Sequence, residues 1–185
     1  MEIVFIIIAV LIAIIVIWFI SGYNGFIKAK NQVEEGFSTM DVYLKKRYDL
    51  IPNLVETVKG YAKHEAETLE KVVSARNMAQ SATTLEDKIQ GENILSGTLK
   101  SLFAVAESYP DLKANQNFMD LQQQLKDIEK DIANSRKYYN AVVKDFNNKC
   151  EMFPSNIIAK IFNFVVKPMF EVEGAEERKN VKVQF

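Results

Sequence analysis

The side chains able to do covalent or metal chemistry in this chain are few and badly spaced for it. There is one histidine, His64, and one cysteine, Cys150. A zinc-protease motif needs two histidines four apart on one helix face, and His64-Glu65-Ala66-Glu67-Thr68 lacks the second. A carboxylate di-metal bundle needs two Glu-x-x-His pairs, and Tyr61 stands three residues before His64. A Cys150–His64 nucleophile pair has no further support in the sequence. No glycine-rich phosphate loop is present, and the acidic pairs Glu34-Glu35 and Glu65/Glu67 read as solvated helix faces. The expectation is therefore a protein that is not an enzyme, with no catalytic, cofactor or metal residues. With 23 basic and 24 acidic residues and a net charge of −1, it also lacks the positive excess that neutralises phosphates, so nucleic acid is not an expected partner. A lone cysteine allows no intrachain disulfide, so nothing suggests an oxidising compartment.

What the sequence has instead is a membrane anchor. Ile3 to Ile20 are eighteen consecutive apolar residues, about 27 Å of helix against a hydrocarbon layer of ~30 Å. Trp18 and Tyr23 lie at its C-terminal edge, where amphipathic rings favour the membrane–water interface. The competing reading is a cleaved secretory signal. The Met1-Glu2 start lacks positive charge, the run is too long, and Phe19-Ile20-Ser21 is a poor cleavage site. Only Glu2 precedes the run, whereas Lys28, Lys30, Lys45, Lys46 and Arg47 follow it. That bias predicts a single-pass cell-membrane protein with its N-terminus outside and its body cytoplasmic.

Glycine (7) and proline (4) are scarce, which favours long helices over strands and turns. Four helical stretches follow the span. The first carries Phe26, Val33, Phe37, Met40, Leu44 and Ile51 on one seam, interrupted by Lys30 and Arg47; Gly22 and Gly25 offer hinge points where it leaves the membrane. A break is expected at Asp49-Leu50-Ile51-Pro52, where proline suits the first turn of a new helix, so Lys45-Lys46-Arg47 should flank a turn far from the bilayer. The second stretch runs from about Pro52 to Ala79. Thr83 with Glu86, or Thr84 with Asp87, has the spacing of a capping box that opens the third, which should stop before Tyr109-Pro110-Asp111.

The fourth stretch has the clearest period. Phe118, Leu121, Leu125, Ile128, Ile132, Ser135, Tyr139, Val142 and Phe146 alternate by three and four without a slip. The seam alone leaves open whether its partner is a helix of the same chain or of another copy. Short turns between long helices force antiparallel neighbours. The expected fold is all-α: a transmembrane helix over 1–22, an antiparallel up-and-down four-helix bundle over 23–153, and an apolar membrane-proximal segment with a tail over 154–185.

That last segment, Phe153–Val166, is too apolar for a solvated tail. Ile157, Ile158, Ile161 and Phe162 should be largely buried under the bundle base; dipping into the membrane interface and docking a partner are the alternatives. Val181–Phe185 alternates like a short strand, after a solvated acidic stretch at Glu171–Glu177.

From Tyr23-Asn24 onward the sequence resembles the LemA family. The resemblance is carried by DVYLKKRYDLIPNLVETVKGYAKHEAETLEKVVSARNMA over 41–79, ESYPDLKANQNFMDLQQQL over 107–125, and YNAVVKDFNNKCEMFPSNIIAKIFNF over 139–164. It implies a bacterial protein with one N-terminal span, a helical antiparallel cytoplasmic domain and no established catalytic activity. It also implies links to membrane metalloproteases, envelope stress and membrane organisation, with magnetosome proteins among the relatives. The function expected from anchor, seams and resemblance together is a membrane-anchored scaffold or adaptor that self-associates as a homo-oligomer and binds another membrane protein. The alternatives are a membrane stress sensor and a membrane-remodelling protein.

Overall fold

The computed structural model describes residues 1–170. It is all-helical over those residues, with no strand among them, in the order α1 (Glu2–Tyr61), α2 (Ala66–Ser81), α3 (Leu85–Ala106), α4 (Pro110–Lys113), α5 (Gln116–Glu151) and α6 (Ser155–Ile161). The strand-like end and the acidic stretch read from the sequence lie outside the described residues. Two compact units form: residues 1–39 with 135–169, and residues 40–134 with Phe170.

The expected break at Pro52 does not occur, because α1 is a single helix from Glu2 to Tyr61 with Pro52 inside it. A proline there removes one intrahelical bond, the one its N–H would donate to the carbonyl of Tyr48. In this fold Arg76 Nε of α2 donates to that carbonyl instead, at 3.1 Å. The orphan acceptor is satisfied from a neighbouring helix, and α1 continues to Tyr61, about two and a half turns further. The chain reverses at 62–65, where Glu65 N–H donates to the Ala62 carbonyl at 3.1 Å. Lys45 and Lys46 are thus exposed mid-helix residues and Arg47 is buried, so none of the three flanks a turn. Gly22 and Gly25 are also helical and do not hinge α1.

In the second unit, α1, α2, α3 and α5 run alternately up and down. Asp41 and Arg47 pair with Lys88 and Glu92, so α1 and α3 run the same way. Arg47 with Glu129 and Tyr61 with Asn115 show α5 running against α1. The buried face is built by Met40, Leu44, Ile51 and Leu54 of α1, Leu69 and Val72 of α2, Leu95, Leu99 and Leu102 of α3, and Phe118, Leu125 and Ile132 of α5. Helices α2 and α3 pack with their backbones close: a Cβ on Gly91 would sit 2.8 Å from Ala79 Cα. The turn before α3 is closed by Thr84, whose hydroxyl accepts from Asp87 N–H at 3.1 Å and donates to the Asp87 carboxylate at 2.7 Å. Of the two spacings read from the sequence, the second places the N-cap at Thr84, but only half of a capping box is seen: the Asp87 carboxylate takes the Thr84 hydroxyl and not a backbone N–H. Asn115 caps α5 in the same way, accepting from Phe118 N–H at 3.0 Å.

In the first unit, α1 and α5 are antiparallel partners: Phe26 meets Phe146, and further along Phe37 meets Tyr139. α6 ends in a left-handed cap. Asn163 takes φ 56°, a conformation asparagine tolerates, and Phe164 N–H reaches back to the Ala159 carbonyl at 2.9 Å. This cap turns Phe164 onto α1.

Candidate functional site

Two arrangements have the character of a site, one in each unit. The first is an aromatic collar where α1 leaves its apolar run. The helix is exposed through Ile3–Ile17, and among the described residues it is the one helix long and apolar enough to cross a membrane. Phe162 packs at a tilt against Tyr23, with ring centroids 4.6 Å apart, and against Phe19 at 5.7 Å. Phe164 lies parallel to Phe26 at 4.7 Å. Ile158 is fully buried, its side chain seated on Gly22, in the space that a Cβ there would fill.

The chain after α6 is then tied to α5. Asn147 donates its amide N–H to the Lys167 carbonyl at 2.9 Å and accepts from the Lys167 N–H at 2.8 Å. Tyr139 donates its hydroxyl to the Pro168 carbonyl at 3.2 Å. One side-chain amide satisfies both polar groups of an extended residue, which fixes a segment that has no ladder of its own.

The expectation that Ile157, Ile158, Ile161 and Phe162 are all buried is corrected for three of them. Ile158 is at 0% exposure, but Ile157, Ile161 and Phe162 are 44%, 60% and 42% exposed. The reason is the shortness of α6: one face of a two-turn helix is consumed by docking on α1, and the other has no helix to meet. Trp18 is 38% exposed and Tyr23 half-buried beneath the collar rings.

The second arrangement is an ionic cluster. Arg47, fully buried, bonds Glu92 through Nη2, Glu129 at 2.6 Å and Ser96 at 3.1 Å through Nη1. Glu92 is also fully buried and accepts the Tyr48 hydroxyl. Burial first, and then the Glu92 charge, push the Tyr48 phenol well above its ordinary range. Ser96 and Glu129 also line an open cleft of about 730 Å³ between α3 and α5, walled by Leu99, Phe103, Met119 and Leu125 and rimmed by Lys100, Gln122, Gln123 and Lys126. It is amphipathic: apolar walls over an ion-paired floor.

The long seam divides by depth. Phe118, Leu125, Ile132, Tyr139 and Phe146 are buried at strict sevens, whereas Leu121, Ile128 and Val142 are half-buried and Val143 is buried beside them. Sequence reasoning registered Arg47 as an interruption and missed Glu92 and Glu129. Their signal was available: an arginine on an apolar seam needs buried carboxylates, and helix-borne acids on apolar faces are where to look. His64 is exposed in the turn after α1, and Cys150 is half-buried on α5, where burial and then Glu151 raise its thiol pKa.

The LemA family model matches residues 36–185, most of the chain and all of the ionic cluster. The chain belongs to the LemA family. Among curated proteins, this LemA-family chain is similar to protein LemA of Metamycoplasma hominis, at 25% identity over 166 residues covering 85% of this chain and 74% of that protein. It is also similar to the magnetosome proteins MamQ 1 and MamQ 2 of Paramagnetospirillum magneticum, each 23% identical over 189 aligned positions covering 88% of this chain and 70% of the relative. The matched LemA region begins at Gly36, well beyond the apolar run, so the family is shown by the helical body and not by hydrophobicity of the anchor.

Proposed function

We propose that this LemA-family protein is a non-enzymatic, membrane-anchored scaffold that self-associates and holds another membrane protein. The observation that carries this reading is α1. One helix runs from the apolar run to the ionic cluster without a break, from Glu2 to Tyr61. The Arg47 cluster, fastening α1 to α3 and α5, suits a body that must keep its shape under load. The surface offered to a partner is the cleft between α3 and α5, whose apolar walls and amide-and-lysine rim match an amphipathic helix. Similarity to two proteins named as magnetosome proteins fits the membrane-organising role that the family resemblance implies.

The N-terminus lies outside and the body in the cytoplasm, on the one-sided placement of Lys28, Lys30, Lys45 and Lys46. Alkaline phosphatase and fluorescent fusions at the C-terminus test this: external phosphatase activity would overturn it. Crosslinking in native membranes with mass spectrometry tests the scaffold. Expected are crosslinks between copies and to one other membrane protein, with Met119→Glu removing the second set while the helical circular dichroism is kept. Monomers without crosslinks in membranes and across several detergents would overturn the reading.

A further inference from the structure

From Phe153 to Val166 the chain carries six exposed large apolar side chains that the fold leaves uncovered: Phe153, Ile157, Ile161, Phe162, Val165 and Val166, with Phe153 at 79%, Val165 at 64% and Ile161 at 60% exposure. Soluble surfaces show such residues singly; a contiguous set marks a contact surface. Its position narrows what the contact is. Ile158 seats on Gly22, and Phe162 packs on Phe19 and Tyr23, so the segment is fastened to α1 at the last turn of the apolar run. Phe164 reaches only as far as Phe26, about 10 Å further along the helix axis. If Ile3–Ile20 lie in the bilayer, these side chains stand at its surface.

Charge agrees with position. From Met152 to Lys167 the sequence has no acidic residue and two lysines, Lys160 and Lys167. Apolar side chains interleaved with lysines are the composition of interfacial segments that sink about 5–10 Å into the headgroup boundary while lysines reach anionic lipid.

We propose that residues 153–166 are a second membrane contact, lying in the interface of the leaflet from which α1 emerges, with lipid covering the face that α6 turns away from α1. The inference rests on the reading of Ile3–Ile20 as a span. It adds a function to the segment: α1 is held by lipid on two sides of one point, which fixes its tilt and rotation where a lone span would turn freely.

The test uses the full chain in vesicles of phosphatidylcholine and phosphatidylglycerol. Trp18 is the only tryptophan and reports the span; Trp18→Phe combined with Ile161→Trp, or with Val165→Trp, reports the segment. Both new positions are exposed, so the fold tolerates them. Lipids brominated high on the acyl chain should quench most of the emission of either introduced indole and shift it to the blue, while aqueous iodide should leave it unchanged. Quenching by iodide and not by bromine means the segment faces water. Quenching by neither means that protein, a second copy or a partner, covers it. Either result overturns the proposal while Trp18 in the parent chain, still quenched by bromine, keeps the span. If Trp18 too escapes bromine, the span reading and this inference fall together.

Discussion

Lys30 and Arg47 interrupt the same apolar seam of the same helix, and the two units treat them oppositely. Lys30 stays in solvent, 3.7 Å from Glu34 one turn on, an exposed pair worth little. Arg47 is enclosed completely. The difference lies in what surrounds α1. In the first unit it has α5 and the short α6 for neighbours, so a face remains open to water. In the second, α2, α3 and α5 close around it, and a charge on the seam must bring counter-charges with it. Glu92 and Glu129 supply them. The first unit is joined by rings and the second by ions, which makes one tolerant of small displacements and the other strict about register.

The sharpest way to break this comparison is to remove the arginine. Arg47→Met takes the guanidinium partner away from the buried Glu92 carboxylate, and breaking a buried ion pair from one side costs ~3–5 kcal/mol. Adding Glu92→Met to it should recover most of that, since apolar replacements of a whole buried pair are often neutral. Thermal melts followed by circular dichroism give the cycle. A single variant as stable as the parent would show that water already reaches the cluster, and the contrast between the units would fail. In the ring-held unit, Phe26→Ala should cost a similar ~3–5 kcal/mol by transfer loss and cavity. The expected distinction is that no second substitution rescues it.

The collar supplies an internal control. Ile158 and Ile161 are three residues apart on α6, one buried on Gly22 and the other 60% exposed. Ile158→Ala should cost ~2–5 kcal/mol, whereas Ile161→Ala should stay within about 0.5 kcal/mol. Equal effects would mean that α6 does not dock as described. Gly91→Ala, which presses a methyl group onto the Ala79 backbone, should cost ~1–3 kcal/mol by forcing α2 and α3 apart.

Much of this was legible in the residues. The apolar run, the seam at sevens from Phe118 to Phe146 and the Thr84 cap are local patterns, and local patterns survive folding. What was illegible depended on distant partners. Pro52 reads as a helix break unless one knows that Arg76 will take the Tyr48 carbonyl. Arg47 reads as a blemish, or as part of a basic cluster with Lys45 and Lys46, unless Glu92 and Glu129 are known to meet it. Asn163 was a missed local signal: asparagine just past a helix is a candidate left-handed cap, and that cap sets where Phe164 lands.

A smaller effect separates the units by pH. Tyr48 keeps its proton in the fold because burial and the Glu92 charge both disfavour phenolate. Its folded pKa lies above the unfolded value of about 10, so the linked stability is fully present below that pH and is lost as pH rises past it. Tyr48→Phe should remove this alkaline component and cost ~1.5–3 kcal/mol at neutral pH through the lost bond to a charged carboxylate. Melts of parent and variant between pH 8 and 11 would show it. Parallel curves would mean that other tyrosines and lysines carry the whole alkaline transition.

The smallest expected effect belongs to Cys150 in the ring-held unit. Burial, then Glu151, raise its thiol pKa, with Lys167 opposing weakly. Since the thiolate is the nucleophile, alkylation by iodoacetamide at pH 8 should run several-fold slower in the native protein than in urea. Lys167→Gln removes the opposing charge and should slow it slightly further. Asn147 holds the Lys167 backbone and not its side chain, so the segment's path is kept in that variant. A faster reaction in Lys167→Gln would show instead that the Lys167 side chain shields the thiol sterically and that its charge is irrelevant there.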